Sequence, residues 1–453
     1  MGMAEPGPDI AAGRLTPGEY EVNFADVEPP LDAKRALIES SRCLFCYDAP
    51  CIEACPTGID IPGFIRKIAT GNTKGAAVTI LEQNIFGGAC ARVCPTEILC
   101  EQACVRNRSE DKPVNIGALQ RYATDHLFAR GEQPFRRAAP TGRRVAVVGG
   151  GPAGLACAHR LAMLGHAVVV YEAREKLGGL NEYGIAAYKV PDDFAQDEVR
   201  FLLSIGGIEV RTGKALGRDV SLVDLRREYD AVFLGLGLAG VNALDAEGED
   251  LEGVEDAVAY IARLRQTPDK ARLPVARKVV VIGGGNTAID IAVQSKRLGA
   301  QDVTMVYRRG AEHMGATHHE REFAQVNGVA IKHWARPVRA IGRQGHLRAV
   351  EFEYTQLDEE GRLMGTGDRF TLEADMLFKA IGQTFVPDPV RNGSRELLEL
   401  ARGRIRVNAD RATSLEGVFA GGDCVGGAVD LTVQAVEDGK QAAHAIDRYL
   451  RRR

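Results

Sequence analysis

The 453-residue chain holds ten cysteines, and eight of them fall between Cys43 and Cys104. They form two groups. The first, C-x2-C-x4-C-x3-C-P, consists of Cys43, Cys46, Cys51 and Cys55 before Pro56; the second, C-x3-C-P-x4-C-x3-C, consists of Cys90, Cys94, Cys100 and Cys104. Thiolates are soft ligands suited to zinc or to iron–sulfur clusters. In two-cluster ferredoxins the cysteine before proline ligates the other cluster. Two such groups therefore imply two [4Fe–4S] clusters with exchanged ligands, with redox-inert zinc as the alternative. Cys157 and Cys424 stand alone, so no C-x4-C redox disulfide is expected.

A second chemistry lies in the glycines. VAVVGGGPAGLACAHRLAMLGHAVVVYEA (Val145 to Ala173) and VVVIGGGNTAIDIAVQSKRLGAQDVTMVYRR (Val279 to Arg309) share one strand–turn–helix–strand pattern, offset by about 134 residues. In the first, Gly149 permits the tight turn, Gly151 lets the backbone approach a pyrophosphate, and Gly154 lets the helix pack on the strand. Glu172 ends the second strand, where it can accept hydrogen bonds from a ribose. A purely structural glycine turn would not require that acid. The second unit has Gly283, Gly285 and, in place of the third glycine, Ala288. Its second strand ends in Arg308 and Arg309, which could hold a 2′-phosphate and so favour NADP over NAD. The plainer reading leaves either arginine solvated or paired within the fold. Near the C-terminus, Gly421, Gly422 and Asp423 follow a short apolar strand, and an Asp there can hydrogen-bond the ribityl chain of a flavin.

The elements that must carry these residues follow from texture. The first 30 residues, rich in Pro, Gly and acids, read as an extended arm, and residues 31–130 as a helical, cysteine-bearing domain. Residues 131–142 read as a linker. Alternating strands and helices then indicate open parallel α/β sheets. The hydrophobic content of 45% and charged content of 26% are those of an ordinary globular protein. A net charge of -4 gives no electrostatic case for nucleic acid, and Arg451 to Arg453 read as a solvated tail. No apolar run approaches the ~18 residues of a membrane span. Without a basic leader or apolar h-region, a cytoplasmic location is expected.

The strand-end Glu172 and Asp423 together resemble the glutathione-reductase-like FAD superfamily, in which both belong to one split FAD domain with the nicotinamide domain inserted between its halves. DAVFLGLG (Asp230 to Gly237) and ADMLFKAIG (Ala374 to Gly382) are similar to the two crossover strands that bracket the insertion there. The resemblance implies an FAD domain at 143–245 and 381–453 and an NAD(P)H domain at 246–380. CLFCYDAPCIEACPTGIDIPGFI, GGACARVCPTEILCEQAC and NIGALQRYATD resemble the N-terminal domain of dihydropyrimidine dehydrogenase and of the glutamate synthase small subunit. With GGLNEYGIAAYKVP and DLTVQAVEDGKQAA, the likeness covers about 400 residues. It is nearest to the FAD-carrying subunit of the bacterial NAD-dependent dihydropyrimidine dehydrogenases, a family name that implies NADH against the Arg308–Arg309 argument.

That resemblance gives one cluster to Cys43, Cys46, Cys51 and Cys104. It gives the other to Cys55, Cys94, Cys100 and Gln120, leaving Cys90 spare; ligand chemistry alone would choose Cys90 over an amide oxygen. It adds Gly179, Leu180 and Thr432 to the flavin site and Asn286 and Thr287 to the nicotinamide site. The implied route runs from nicotinamide to flavin N5, to the clusters, to a partner, and no general base is nominated. His318 and His319 read as exposed polar residues. The family's FMN barrel, pyrimidine pocket and C-terminal clusters are not found here. They are expected on a partner FMN/iron–sulfur subunit that reduces uracil or thymine, in a heteromer of (αβ)2 type. The alternative is a glutamate synthase small subunit or related electron-transfer subunit, and a third is a non-catalytic role with structural cofactors.

Overall fold

The computed structural model describes residues 9–391, 398–427 and 429–452. The chain divides into two compact units: residues 28–182, 192–240 and 384–453 form one, and residues 1–27, 183–191 and 241–383 the other.

In the first unit a helical segment precedes a sheet. The helices Ala33–Ser41, Ile61–Ala69, Thr73–Gln83 and Ile116–Arg130 begin at Asp32, Asp60, Asn72 and Asn115. Each of these caps accepts a hydrogen bond from the backbone N–H three residues on, at 2.7–3.0 Å, satisfying a donor the helix itself leaves orphaned. Their inner faces bury Phe64, Ile65, Ile80, Leu81, Leu119 and Leu127 in one core. The short helix Gly87–Val93 carries Cys90 and ends at Cys94. The sheet that follows is wholly parallel, in the order Val418–Ala420, Ala231–Leu234, Arg144–Val148, Ala167–Tyr171, Ile208–Arg211. The last helix, Thr432–Arg451, packs on Pro152–Met163 at a place where only glycine fits. A Cβ on Gly439 would lie 2.1 Å from the Ala153 carbonyl oxygen.

The second unit holds another parallel sheet, ordered Val329–His333, Asp302–Tyr307, Lys278–Ile282, Met376–Lys379, Val254–Asp256. An antiparallel sheet of Ala335–Arg343, His346–Leu357 and Leu363–Glu373 adjoins it. Met376–Lys379, read as the crossover strand at the end of the insertion, lies within this sheet between Lys278–Ile282 and Val254–Asp256, with Met376, Leu377 and Phe378 buried.

The expected extended arm is corrected. Pro17–Asn23 is a helix, set by a capping box in which Thr16 and Glu19 bond each other's backbone. Ile10–Ala11 pairs with Val275–Ala276, Arg14 Nε donates to Val275 O at 2.7 Å, and Asn23 Nδ2 donates to Arg297 O at 2.9 Å. Tyr20 is buried in the unit's core. Residues 183–191 belong here too: Ala186 and Ala187 donate backbone hydrogen bonds to Asp290 and Gln294 on the helix Asn286–Arg297. Residues 1–8 of the arm and Arg453 lie outside the described residues; Arg451 pairs with Asp447 at 2.8 Å.

Candidate functional site

Gly149 follows the strand Arg144–Val148 with φ +104°, a left-handed conformation in which a Cβ would lie 2.1 Å from Gly235 O. Gly154 has a Cβ position 1.9 Å from Gly149 O, so any side chain would push the helix off the turn. A Cβ on Gly151 would approach nothing closer than Gly179 Cα at 3.6 Å, which leaves the face above this turn clear for a phosphate. Pro152, lacking an N–H, takes the first position of the helix Pro152–Met163, which has no side-chain cap. The end of that helix is thus left with donors for an anion.

Glu172 braces the turn. Its Oε2 accepts from Gly150 N at 2.7 Å and its Oε1 from Arg174 N at 2.8 Å. Each oxygen keeps a second lone pair, enough for a ribose hydroxyl pair. Gly178 N donates to Gly150 O at 2.8 Å, which lays Gly179 and Leu180 against the turn. Thr432 Oγ1, at the start of the last helix, donates to Asn181 Oδ1 at 2.9 Å. Gly179, Leu180 and Thr432 are therefore brought together, through an asparagine that the sequence reading did not name. Gly422, at φ +76°, donates to Asp438 Oδ2 at 3.0 Å, and Arg411 pairs with Asp438 at 2.7 Å. Asp423 has no hydrogen-bond donor among the described residues. Burial pushes its carboxyl up to about 6, with Asp430 adding and Arg404 opposing. A half-buried acceptor without a donor, beside a cleared glycine turn, fits the hydroxyls of a flavin's ribityl chain.

The second turn repeats this backbone. Gly283 has φ +150°, and a Cβ there would lie 2.2 Å from Ala380 O; a Cβ on Gly285 would meet nothing within 4 Å. Asn286 and Thr287 open the helix Asn286–Arg297, and Asn286 Oδ1 is buried without a partner. The register at the strand end differs from the expectation by one residue. Gly149 N bonds Tyr171 O, the residue before Glu172, whereas Gly283 N bonds Val306 O, the residue before Tyr307. Tyr307 therefore occupies the place of Glu172, and Arg308 and Arg309 lie just beyond it. Arg308 is exposed, and neither arginine side chain has a partner among the described residues. His318 and His319 are exposed, the former at 85% of its side chain.

Cys43, Cys46, Cys51 and Cys104 line one cavity of about 380 Å³ including its open mouth. Its other walls are largely apolar, among them Leu44, Ile61, Ile65 and Val114. Burial pushes the Cys51 thiol up to about 12, and Cys43, Cys104 and Cys46 add to the shift. Thiols so raised release their protons only to a cation that compensates the charge, which is what iron provides. Cys55, Cys94 and Cys100 form a second neighbourhood. The Cys94 thiol is raised by a hydrogen bond with Cys90, by burial, and by Cys100 and Cys55. Gln120 is buried, and its Nε2 donates to Gly87 O at 2.7 Å, which anchors the amide on the helix carrying Cys90. Both candidates for the fourth ligand thus sit beside this group.

Glu198, fully buried and absent from the sequence reading, closes the N-terminal end of that helix. Its Oε1 accepts from Gly88 N at 2.9 Å and Ala89 N at 3.0 Å, while Oε2 has no partner. Burial pushes its carboxyl up to about 8, against the Ala89 amide and the Arg92 charge. Only a negative or accepting side chain suits a helix N-terminus, but nothing in the local sequence ties residue 198 to residue 88.

Residues 20–132 match the profile of dihydropyrimidine dehydrogenase domain II, 4Fe-4S cluster, and residues 143–439 match that of pyridine nucleotide-disulphide oxidoreductases. The chain belongs to the pyridine nucleotide-disulphide oxidoreductase family. Within this family, it is 36% identical over 430 residues to the NAD-dependent dihydropyrimidine dehydrogenase subunit PreT of Salmonella typhimurium, covering 94% of this chain and 98% of that one. It is also 34% identical to the glutamate synthase [NADPH] small chain of Escherichia coli, covering 95% and 94%. Its fold is that of FprA from Mycobacterium tuberculosis, with a TM-score of 0.57 at 21% identity over 69% of this chain and 85% of that one. The thioredoxin reductase of Lactococcus lactis matches with a TM-score of 0.55 at 20% identity, over 69% and 100%. The chain is an oxidoreductase whose cofactors are FAD, [4Fe–4S] and NAD(P)H, in a helical cluster domain joined to Rossmann-like domains. The match to a 4Fe-4S domain removes zinc as the reading of the cysteines. No helix among the described residues is long and apolar enough to cross a membrane.

Proposed function

We propose that this chain is the electron-entry subunit of a dihydropyrimidine dehydrogenase. It takes hydride from NAD(P)H and delivers single electrons to a partner FMN/iron–sulfur subunit that reduces uracil or thymine reversibly to the 5,6-dihydropyrimidine. The observation that carries this reading is the thiol-lined cavity of Cys43, Cys46, Cys51 and Cys104 built into the same unit as the first glycine turn. When bound, FAD supplies exchange between two-electron and one-electron chemistry, and two [4Fe–4S] clusters supply single-electron relays.

The residues divide the work by position. Gly149, Gly151, Gly154, Glu172, Gly179, Leu180, Gly422, Asp423 and Thr432 hold FAD across the two halves, 143–245 and 381–453. Gly283, Gly285, Asn286, Thr287, Arg308 and Arg309 hold the nicotinamide nucleotide in 246–380. Cys43, Cys46, Cys51 and Cys104 hold one cluster; Cys55, Cys94, Cys100 and Gln120 hold the other, with Cys90 as the competing ligand. Hydride transfer needs orientation more than acid–base help. Leu44 and Tyr47, exposed at 53% and 106%, flank Cys43 and Cys46 and suit an apolar contact where electrons leave.

A second reading, the small subunit of a glutamate synthase, is favoured by the 34% identity to that chain over 95% of this one. One experiment separates them. The chain, purified anaerobically with about eight irons and one FAD, is reduced by NADH or NADPH and mixed in turn with a pyrimidine-reducing FMN subunit and a glutamate synthase large chain. Uracil-dependent reoxidation with the first supports the proposal, and glutamine- and 2-oxoglutarate-dependent reoxidation with the second sinks it. Iron content and cluster spectra of Gln120→Ala and Cys90→Ala decide the fourth ligand.

A further inference from the structure

The turn of Cys55, Pro56, Thr57 and Gly58 gives its sulfur a side-chain donor. Gly58 N donates to Cys55 O at 2.9 Å, and Pro56, with its fixed φ, takes the second position. That closure brings Thr57 back over the cysteine, and its Oγ1 lies 3.3 Å from Cys55 Sγ. Thr57 is only 2% exposed, and this sulfur is the one partner of its hydroxyl among the described residues. The hydroxyls of Thr70, Thr79 and Thr124 return instead to backbone carbonyls three or four residues back. A cysteine that ligates a metal has given up its proton. In the loaded protein the Thr57 hydroxyl is therefore the donor and the sulfur the acceptor.

The turn is pinned from outside. Lys440, on the helix Thr432–Arg451, donates from Nζ to Thr57 O at 2.9 Å and to Gln83 O and Oε1 at 3.2 Å each. Glu437, one turn earlier on that helix, pairs with the ammonium at 2.7 Å, and both side chains are largely buried. Thr57 is thus held at its carbonyl, and its hydroxyl is left facing the cysteine.

The first cysteine group meets the same need with backbone. Cys43 Sγ accepts the N–H of Phe45, also two residues on, at 3.5 Å. Phe45 has φ +52°, a conformation uncommon for a bulky residue, and the Arg66 guanidinium lies over its ring at 4.7 Å. A backbone donor survives every substitution except proline. The donor to Cys55 is a side chain, and one substitution removes it.

We infer that Thr57 is a positioning residue of the electron relay, whose hydroxyl bond to the Cys55 sulfur raises the reduction potential of the cluster that Cys55 holds. Reduction adds negative charge to a cluster and its sulfurs, so a hydrogen bond donated to sulfur favours the reduced form. The inference rests on the reading of Cys55 as a cluster ligand and deepens it.

The test titrates the full-length chain, with its cofactors, potentiometrically and follows it by electron paramagnetic resonance. Cys55→Ser should remove or alter the signal of one cluster, which marks the potential belonging to Cys55. Thr57→Val keeps the shape of the side chain and loses the hydroxyl. We expect the reduction equilibrium of the marked cluster to fall about fivefold, which is about 40 mV at 59 mV per decade for one electron, with the other cluster unmoved. Thr57→Ser should restore the wild-type value. An unchanged marked potential in Thr57→Val overturns the inference, and so does an equal fall in both clusters, which reports a general loosening. If Thr57→Val loses about four irons per chain, full iron in Thr57→Ser supports the hydroxyl bond, whereas loss in both reduces Thr57 to a packing role and overturns it. If Cys55→Ser leaves both signals and the iron content intact, the ligand reading of Cys55 falls and the inference with it.

Discussion

The two glycine turns are nearly one backbone serving two purposes. Each follows a parallel strand with a run of four buried apolar residues, holds its first glycine at positive φ, and opens an uncapped helix of twelve residues. They part at two side chains. Gly154 cannot bear even a methyl group, with Gly149 O 1.9 Å from where it would sit, whereas Ala288 already carries one in a buried position. Glu172 becomes Tyr307. The backbone of the turn is common to both, and the side chain set beside it is not.

The units differ also in how they bury charge. Lys189 lies 2.8 Å from Asp290 and 2.6 Å from Glu320, a compensated triad. Burial opposes its proton, but the two carboxylates outweigh this and hold Lys189 above the usual lysine range. Glu198 in the other unit has helix amides on one oxygen and nothing on the second.

The largest effect should come from Gly154→Val, which must separate helix from turn. We expect a loss of at least ~3 kcal/mol and of bound flavin, read by thermal unfolding and by flavin absorbance after gel filtration; retention of both would break the comparison at its strongest point. Next, Lys189→Met strands two buried carboxylates and should destabilise its unit by roughly 3–5 kcal/mol, seen as a lowered melting temperature. Glu198→Gln should act through pH. The folded pKa of about 8 lies above the ordinary carboxylate value of 4.5. The protonated carboxyl is therefore fully accommodated below about pH 4.5, and stability is lost as pH rises through about 8. The variant should flatten this slope and exceed the wild type at pH 8.5 by roughly 3 kcal/mol; parallel melting curves from pH 5 to 8.5 would show Glu198 to be charged throughout. Smallest is Ala288→Gly, at about 1 kcal/mol of helix propensity, with nucleotide binding kept. A loss as large as that of Gly154→Val would mean that the two turns are not alternatives at this position.

The cysteine spacing and both glycine patterns were legible because their chemistry is local: a turn or a chelating loop needs its residues within a few positions. What stayed hidden was long-range or offset. Thr432 meets Asn181 across 251 residues, and Glu198 caps a helix 110 residues before it. Tyr307 was not legible as the counterpart of Glu172, because the match depends on which strand residue each turn bonds, and composition reports no register. The helix Pro17–Asn23 had its signal in the open, Thr16 and Glu19 three apart with proline at the first turn. The proline- and glycine-rich composition outweighed it.

The inclusion of residues 9–27 in the unit of residues 241–383 sets a schedule for folding. Arg14 reaches Val275 across 261 positions, and Asn23 reaches Arg297 across 274. A nascent chain grows at roughly 5–20 residues per second, so this segment waits tens of seconds for its strand partner. Through that interval Tyr20 has no core to enter. These residues are made long before their partners and are among the last to be placed.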